Sequence, residues 1–380
     1  MAQRATARVL QRGPIAALAH EALAQPIAVP VPADDARFAE KGRLRLAYRV
    51  ARLHLQLRLS GQHRTLQTRF DPAWRRALWI HAEAPQIGDA LMDLAPRTLL
   101  TEHGIALDLL ATGATAGLFR GDAAFGQVFD DESALDPADY DVVIVDSWAR
   151  RALAAKQRRL PALPWLAIRN AYLGYDFQRG LLATRRLADV LGVALDDSSV
   201  ARHARQKLIL ATEAHSGPVA SASAGHSVAF AMGGVHAERS YAHWADVARG
   251  LPTLGVCTLL LVGSANGRAA ADALVQVLDP QLQVDDRVGR TSLHATRQAI
   301  AQADLLLCAD GGLMHLGLTT ATPLVALFDS SVDPAWRLPL DFDGAALRAT
   351  VRDVSAISPQ AVLAAAAALL ARRPAKHPAD

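Results

Sequence analysis

The apolar and polar positions of the chain repeat at two spacings, and the switches between them divide it. From Arg76 onward, short continuous apolar runs alternate with longer stretches of helical period. Residues 77–82 (ALWIHA), 105–110, 140–146 (YDVVIVD) and 165–168 read as strands. The third is apolar enough throughout to suit a parallel strand buried on both faces. Between them, 89–104 carries Leu91, Leu94, Leu99 and Leu100 on one helical side and ends at Gly104, and 181–191 reads as a helix ending at Gly192. The alternation restarts with strand 227–232 and runs through helix 241–251, strand 257–262, helix 268–278, helix 292–303, strand 305–308 and strand 324–328. This order predicts an α/β protein with two Rossmann-like domains.

Upstream the pattern is less decided. In residues 39–70, Leu46, Val50, Leu53 and Leu57 keep helical spacing, whereas Leu53, Leu55, Leu57 and Leu59 keep strand spacing. Both remain open. Residues 25–35 (QPIAVPVPADD) hold three prolines and exclude a helix, while 4–24 allow a short one. The expected organisation is an N-terminal extension (1–75), an N-terminal Rossmann-like domain (76–211), a small polar linker (212–225, TEAHSGPVASASAG), a C-terminal Rossmann-like domain (226–358), and a terminal alanine–leucine helix and tail (359–380).

Composition changes this picture in two places. The net charge of +3 hides a basic segment: residues 41–76 hold ten basic side chains against one acid, Asp71, and the rest of the chain is net acidic. Interleaved with leucines, Arg43, Arg45, Arg49, Arg52 and Arg58 fit a solvated helix face, a surface for anionic lipid or an anionic acceptor, or an RNA patch. Nucleic acid is the weakest of these, because few aromatics are present to stack bases. Cys257 and Cys308 sit inside apolar runs and imply neither a disulfide framework nor a metal site. No run approaches about 18 apolar residues, and the N-terminus lacks a signal-type apolar core, so a cytoplasmic protein is expected.

The candidate chemistry centres on residues 303–339 (ADLLLCADGGLMHLGLTTATPLVALFDSSVDPAWRLP). A strand enters a glycine turn with Asp310, Gly311, Gly312 and His315, and a short helix follows. Such a turn offers backbone N–H groups to a phosphate. This stretch resembles the glycosyltransferase family that contains the bacterial ADP-heptose:lipopolysaccharide heptosyltransferases. Its turn is similar to the family's Asp-Ser-Gly-Pro-Met-His, Pro323–Asp329 to its Pro-Val-Val-Ala-Leu-Phe-Gly, and Trp336 with Pro339 to a loosened Trp-Pro pair. Ile87-Gly88-Asp89, YDVVIVD, 233–244 (GGVHAERSYAHW) and 259–263 agree in the right order. The departures are Gly311-Gly312-Leu313 for Ser-Gly-Pro, Asp329 for glycine, and Glu238-Arg239-Ser240-Tyr241 for Lys-Arg-Trp.

The resemblance implies the GT-B fold, with two facing Rossmann-like domains and a last helix (359–373) that crosses back to the N-terminal one, and an inverting, metal-independent transfer of heptose from ADP-heptose to a saccharide acceptor of lipopolysaccharide type. It implies no cofactor. The implied partners are a nucleotide sugar and a free or lipid-anchored saccharide, with peripheral contact at the inner membrane surface and no nucleic acid. The implied base is Asp89, which the residues alone read rather as a helix cap; Asp93, one turn on, is the fallback, read otherwise as a solvent-facing residue or a support to the cap. The implied donor site comprises Gly233, Gly234, Arg239, Asp310, Gly311, Gly312 and His315, with Arg239 neutralising the leaving diphosphate. Ser264 and Asn266 are placed at the cleft, Thr291 or Ser292 at a helix cap, and no metal ligands are expected. A catalytically degenerate binder and a sugar-nucleotide epimerase are the competing readings.

Overall fold

The structure is a computed structural model that describes residues 13–24, 27, 42–82, 86–148, 150–172, 177–210, 225–234, 236–280 and 282–372. The chain divides into two compact units, 1–205 with Ala335–Pro339, and 206–334 with 340–380. The expected linker 212–225 lies outside the described residues except for Gly225.

The first unit runs α1 (Pro14–Leu23), α2 (Arg43–Leu59), β1 (Arg76–His81), α3 (Ile87–Asp93), α4 (Arg97–Glu102), β2 (Ala106–Ala111), α5 (Gly113–Phe119), β3 (Val128–Phe129), β4 (Val142–Val145), α6 (Arg150–Arg159), β5 (Trp165–Ala167), α7 (Arg179–Leu191) and α8 (Asp197–Ala204). Its five strands are parallel in the order β3-β2-β1-β4-β5. Helix 89–104 was expected in one piece. It is two helices, because Pro96 supplies no N–H to continue the first.

The basic segment is a helix, not a strand. Leu46, Val50 and Leu57 are buried and share a core with Leu78, Ile80, Val143 and Val145 of the sheet. Full burial of each is worth about 1.5–3 kcal/mol, so packing selects the helical register. Helix α2, within the expected 1–75 extension, therefore contributes to the first unit's core. Trp165 N donates to Thr65 O and Gln67 N to Trp165 O, which extends the sheet edge beyond β5.

The second unit runs β6 (His226–Ala231), α9 (Trp244–Gly250), β7 (Val256–Val262), α10 (Arg268–Val275), β8 (Gln283–Asp286), α11 (Leu293–Gln302), β9 (Leu305–Ala309), α12 (Gly312–Gly317), β10 (Leu324–Phe328), β11 (Gly344–Arg348) and α13 (Pro359–Leu370). Its six parallel strands follow β11-β10-β9-β6-β7-β8. In such a sheet the strand order reverses between β6 and β9, which opens a crevice at their carboxyl ends. Ser292 caps α11, its Oγ accepting from Ala295 N. Helix α13 was expected to cross back to the first unit. Val362, Ala366, Leu369 and Leu370 are instead buried with Val247, Leu251 and Leu327 of the second unit. The short segment Ala335–Pro339, with buried Trp336, groups with the first unit, so the expected 226–358 domain is interrupted. Cys308 is buried, but Cys257 is only partly so.

Candidate functional site

Each sheet gathers polar residues at its switch point. In the first unit the strand order reverses between β1 and β4. His81 closes β1 and Asp146 follows β4, so the two meet: Nδ1 of His81 stands 2.6 Å from Oδ2 of Asp146. The angle leaves both atoms without a well-formed hydrogen bond, and the attraction is one of charge. Trp79 Nε1 donates to the other Asp146 oxygen at 3.0 Å.

Asp93, at the end of α3, completes this cluster. Arg179 Nε donates to Asp93 Oδ1 at 2.8 Å, and its Nη2 bonds Oδ2. Arg169 Nη2 lies 3.7 Å from the same carboxylate. Asp89 sits one turn before Asp93, with Arg179 Nη1 3.4 Å from its Oδ2 and a third of its side chain exposed. It does not cap the helix: the cap position is Gln86. The fallback Asp93 is not a solvent-facing or capping residue either, because it is buried.

Burial alone would raise the Asp93 pKa, but Arg179 and Arg169 outweigh it and hold the carboxyl at about 2. For His81, burial lowers the pKa, yet Asp146 and Asp93 outweigh burial and raise it. Arg179 is likewise desolvated but is stabilised as a cation by Asp93 and Asp89. His81, Asp93 and Asp146 lie close enough to ligate one metal ion, within 4.8 Å of each other. Their charge is already answered by two guanidinium groups and a histidine favoured as a cation. A metal would have to displace one of these.

In the second unit, the residues at the crevice come from the ends of β6, β9 and β10. Gly233 follows β6 with φ +83°, a left-handed conformation that suits glycine. A Cβ there would lie 2.7 Å from the Cα of Gly267, so the turn also needs the space. Gly234 O accepts from Asn266 Nδ2 at 3.2 Å, and Ser264 Oγ is 2.6 Å from Asn266 Oδ1. The Ala237–Arg239 turn then brings Arg239 Nη1 to 3.3 Å from Asp310 Oδ2 and Nε to 3.8 Å from Asp329 Oδ2. Both acids are buried. Gly311 and Gly312 lead into α12, which is only six residues long.

His315 is buried in α12, with Nδ1 2.8 Å from Gln206 Oε1. With Nδ1 donating to the amide oxygen, a neutral ring presents Nε2 as an acceptor. His315 would donate to a phosphate only as an imidazolium.

The likeness in sequence lies mostly in the second unit. The sequence model of glycosyltransferase family 9 (heptosyltransferase) matches residues 184–352. Over that stretch the chain is similar to glycosyltransferase family 9. Among solved structures, a glycosyl transferase family 9 protein of Veillonella parvula DSM 2008 superposes with TM-score 0.63 at 15% identity, over 80% of this chain and 99% of that one. The E. coli ADP-heptose lps heptosyltransferase II gives 0.56 at 20% identity, over 78% and 99%. E. coli heptosyltransferase WaaC with ADP gives 0.60 at 18%, over 76% and 97%. No curated protein sequence matches the chain. At such identities the likeness is one of fold, and the fold is that of the GT-B glycosyltransferases.

Within residues 184–352, the turn residues expected from sequence do gather: Gly233, Gly234, Arg239 and Asp310 stand at the ends of β6 and β9. Arg239 is an ion-pair partner of two acids, one of them the Asp329 that replaces the usual glycine. Sequence reasoning gave no role to Arg179, His81 or Asp146. The signal was present, since His81 and Asp146 end two strands and ligands bind at strand ends. Of the loop before α7, residues 173–176, with Tyr175, lie outside the described residues, and Tyr172 is buried against Phe177.

Proposed function

We propose that the protein is an inverting glycosyltransferase that transfers heptose from ADP-heptose to a saccharide acceptor of lipopolysaccharide type, without a metal ion. The observation that carries this reading is the family 9 match over residues 184–352, together with the glycine turn, Arg239 and Asp310 at the second unit's switch point. The sequence-level pattern in the first unit extends it to Asp89.

In this reading Asp89 accepts the proton of the acceptor hydroxyl. The hydroxyl oxygen forms a bond to the anomeric carbon as the bond from that carbon to the diphosphate breaks, which inverts the centre in one displacement. Asp89 is partly exposed and therefore open to a substrate, unlike buried Asp93. Arg239 meets the negative charge that develops on the diphosphate, and Asp310, its ion-pair partner, orients a sugar hydroxyl or the turn's own backbone. The cationic balance around His81, Asp93 and Asp146 supports a metal-free centre.

A second reading has one specific support. Arg239 is held by Asp310 and Asp329, so the donor pocket carries more negative charge than a diphosphate favours, as in a degenerate binder. Titration of the protein with ADP, UDP, GDP and ADP-heptose, followed by turnover assays, separates the two. Preference for ADP-heptose, weakened in Arg239→Ala and His315→Ala, with turnover lost but binding kept in Asp89→Ala, supports transfer. Tight nucleotide binding with no turnover from any donor supports the degenerate binder, and preference for UDP or GDP overturns the heptose assignment.

A further inference from the structure

The outer face of α2 is built unlike an ordinary solvated helix. Leu44, Tyr48, Leu55 and Leu59 are 62%, 68%, 55% and 80% exposed. At about 100° per residue these four positions fall within roughly 60° of one another around the axis. They form one straight apolar stripe about 22 Å long. The buried side, with Leu46, Val50 and Leu57, lies opposite.

Arg45, Arg49 and Arg52 flank the stripe on one side and Arg58 on the other, while Arg43, at the helix start, lies nearer the buried side. The helix contains no acidic residue. Among the described residues, none of the five arginines has a carboxylate partner. Leu55 and Leu59 continue into a shallow surface depression with Arg52, Gln56, Ser60 and Gln157 of α6. This depression is remote in sequence from Asp89 and Arg239 and is not their site.

We propose that this face of α2 docks on an anionic lipid bilayer. A helix lying in the interface sinks an apolar stripe below the headgroups while flanking arginines meet lipid phosphates. Charge decides among the occupants. Two copies packed through this face would bring eight arginines together with no acid on either helix, so self-association is opposed. RNA is poorly served, because the only aromatic on the stripe is Tyr48. No described helix is long and apolar enough to cross a membrane, so the contact is peripheral.

The test is co-sedimentation of the full chain with vesicles of phosphatidylcholine alone and of phosphatidylcholine with one quarter phosphatidylglycerol. Binding is expected to the anionic vesicles only, and to weaken from 0.1 M to 0.5 M salt. Arg52→Gln with Arg58→Gln should lower the partition coefficient by roughly 25-fold, at about fivefold per arginine. Leu55→Ser with Leu59→Ser should lower it at least tenfold. All four positions are exposed, and unchanged circular dichroism and melting confirm the fold. Failure to bind anionic vesicles, or binding untouched by both variants, overturns the proposal. So does a wild-type dimer in solution that Leu55→Ser with Leu59→Ser converts to monomer. ADP titration without vesicles should be unchanged in these variants, which keeps this outcome separate from the transfer reading.

Discussion

The Nη1 of Arg179 stands 3.4 Å from Oδ2 of Asp89 while the rest of the same guanidinium grips Asp93. One planar cation thus ties the candidate base to a buried carboxylate one helical turn away. Arg179→Ala should lower kcat for glycosyl transfer by about 10- to 100-fold with little change in ADP affinity. Arg179→Lys should restore little, because an ammonium cannot bridge both edges of the cluster. Removing the arginine also leaves Asp93 poorly compensated, costing about 3 kcal/mol, so rates must be read below the melting transition. Unchanged kcat in a folded Arg179→Ala protein would remove this arginine from the reaction.

Asp329 offers a gain-of-binding prediction. It competes with any phosphate for Arg239, at 3.8 Å from Nε. Asp329→Gly removes that charge and should tighten ADP binding by about fivefold, the effect of about 1 kcal/mol of relieved repulsion. The variant also loses the 2.6 Å bond from Ser331 N to Asp329 Oδ1, a stability cost of about 1 kcal/mol. Calorimetric titration with ADP checks this. Weaker binding would mean that Asp329 touches the nucleotide or orders its turn.

Arg97 and Asp122 form a fully buried ion pair in the first unit, bonded through Nε at 3.2 Å and through Nη2. Arg97 also donates to Leu94 O at 3.0 Å and lies over the Phe119 and Phe125 rings. Asp122→Ala leaves that guanidinium without its carboxylate and should cost about 3–5 kcal/mol in denaturant unfolding. A loss below about 1 kcal/mol would show that water reaches the site.

Lys156 is buried with Gln62 Oε1, Thr65 Oγ1 and Pro161 O as its acceptors. Burial lowers its pKa to about 8. The unfolded lysine still holds its proton up to its ordinary value near 10.5. Between these two values the unfolded state binds more protons, so stability rises with pH. Relative to Lys156→Met, the wild type should gain about 1–3 kcal/mol from pH 8 to 10.5. Unfolding curves across that window measure it, and a flat difference would place the ammonium in water.

Much of the architecture is legible along the chain because its causes are local. Apolar runs mark β1, β4, β6, β9 and β10, glycine turns follow β6 and β9, and the placement of Gly233 and Asp310 follows from those two strand ends. The helix–strand ambiguity at 43–59 is different. Leucines there satisfy both periods, and only the sheet face offered to Leu46, Val50 and Leu57 decides for the helix. Strand order is likewise set by long-range packing, and it alone brings His81 to Asp146 and Arg239 to Asp310 and Asp329. The terminal helix shows the same division. Its alanine–leucine composition determines that it is helical and nearly apolar. Which unit it covers depends on where an uncovered apolar surface waits, and Val247, Leu251 and Leu327 place it on the second. Local pattern determines each element and the residues at its ends. Tertiary packing decides which ends meet, because charge and burial act between groups brought close in space and not in sequence.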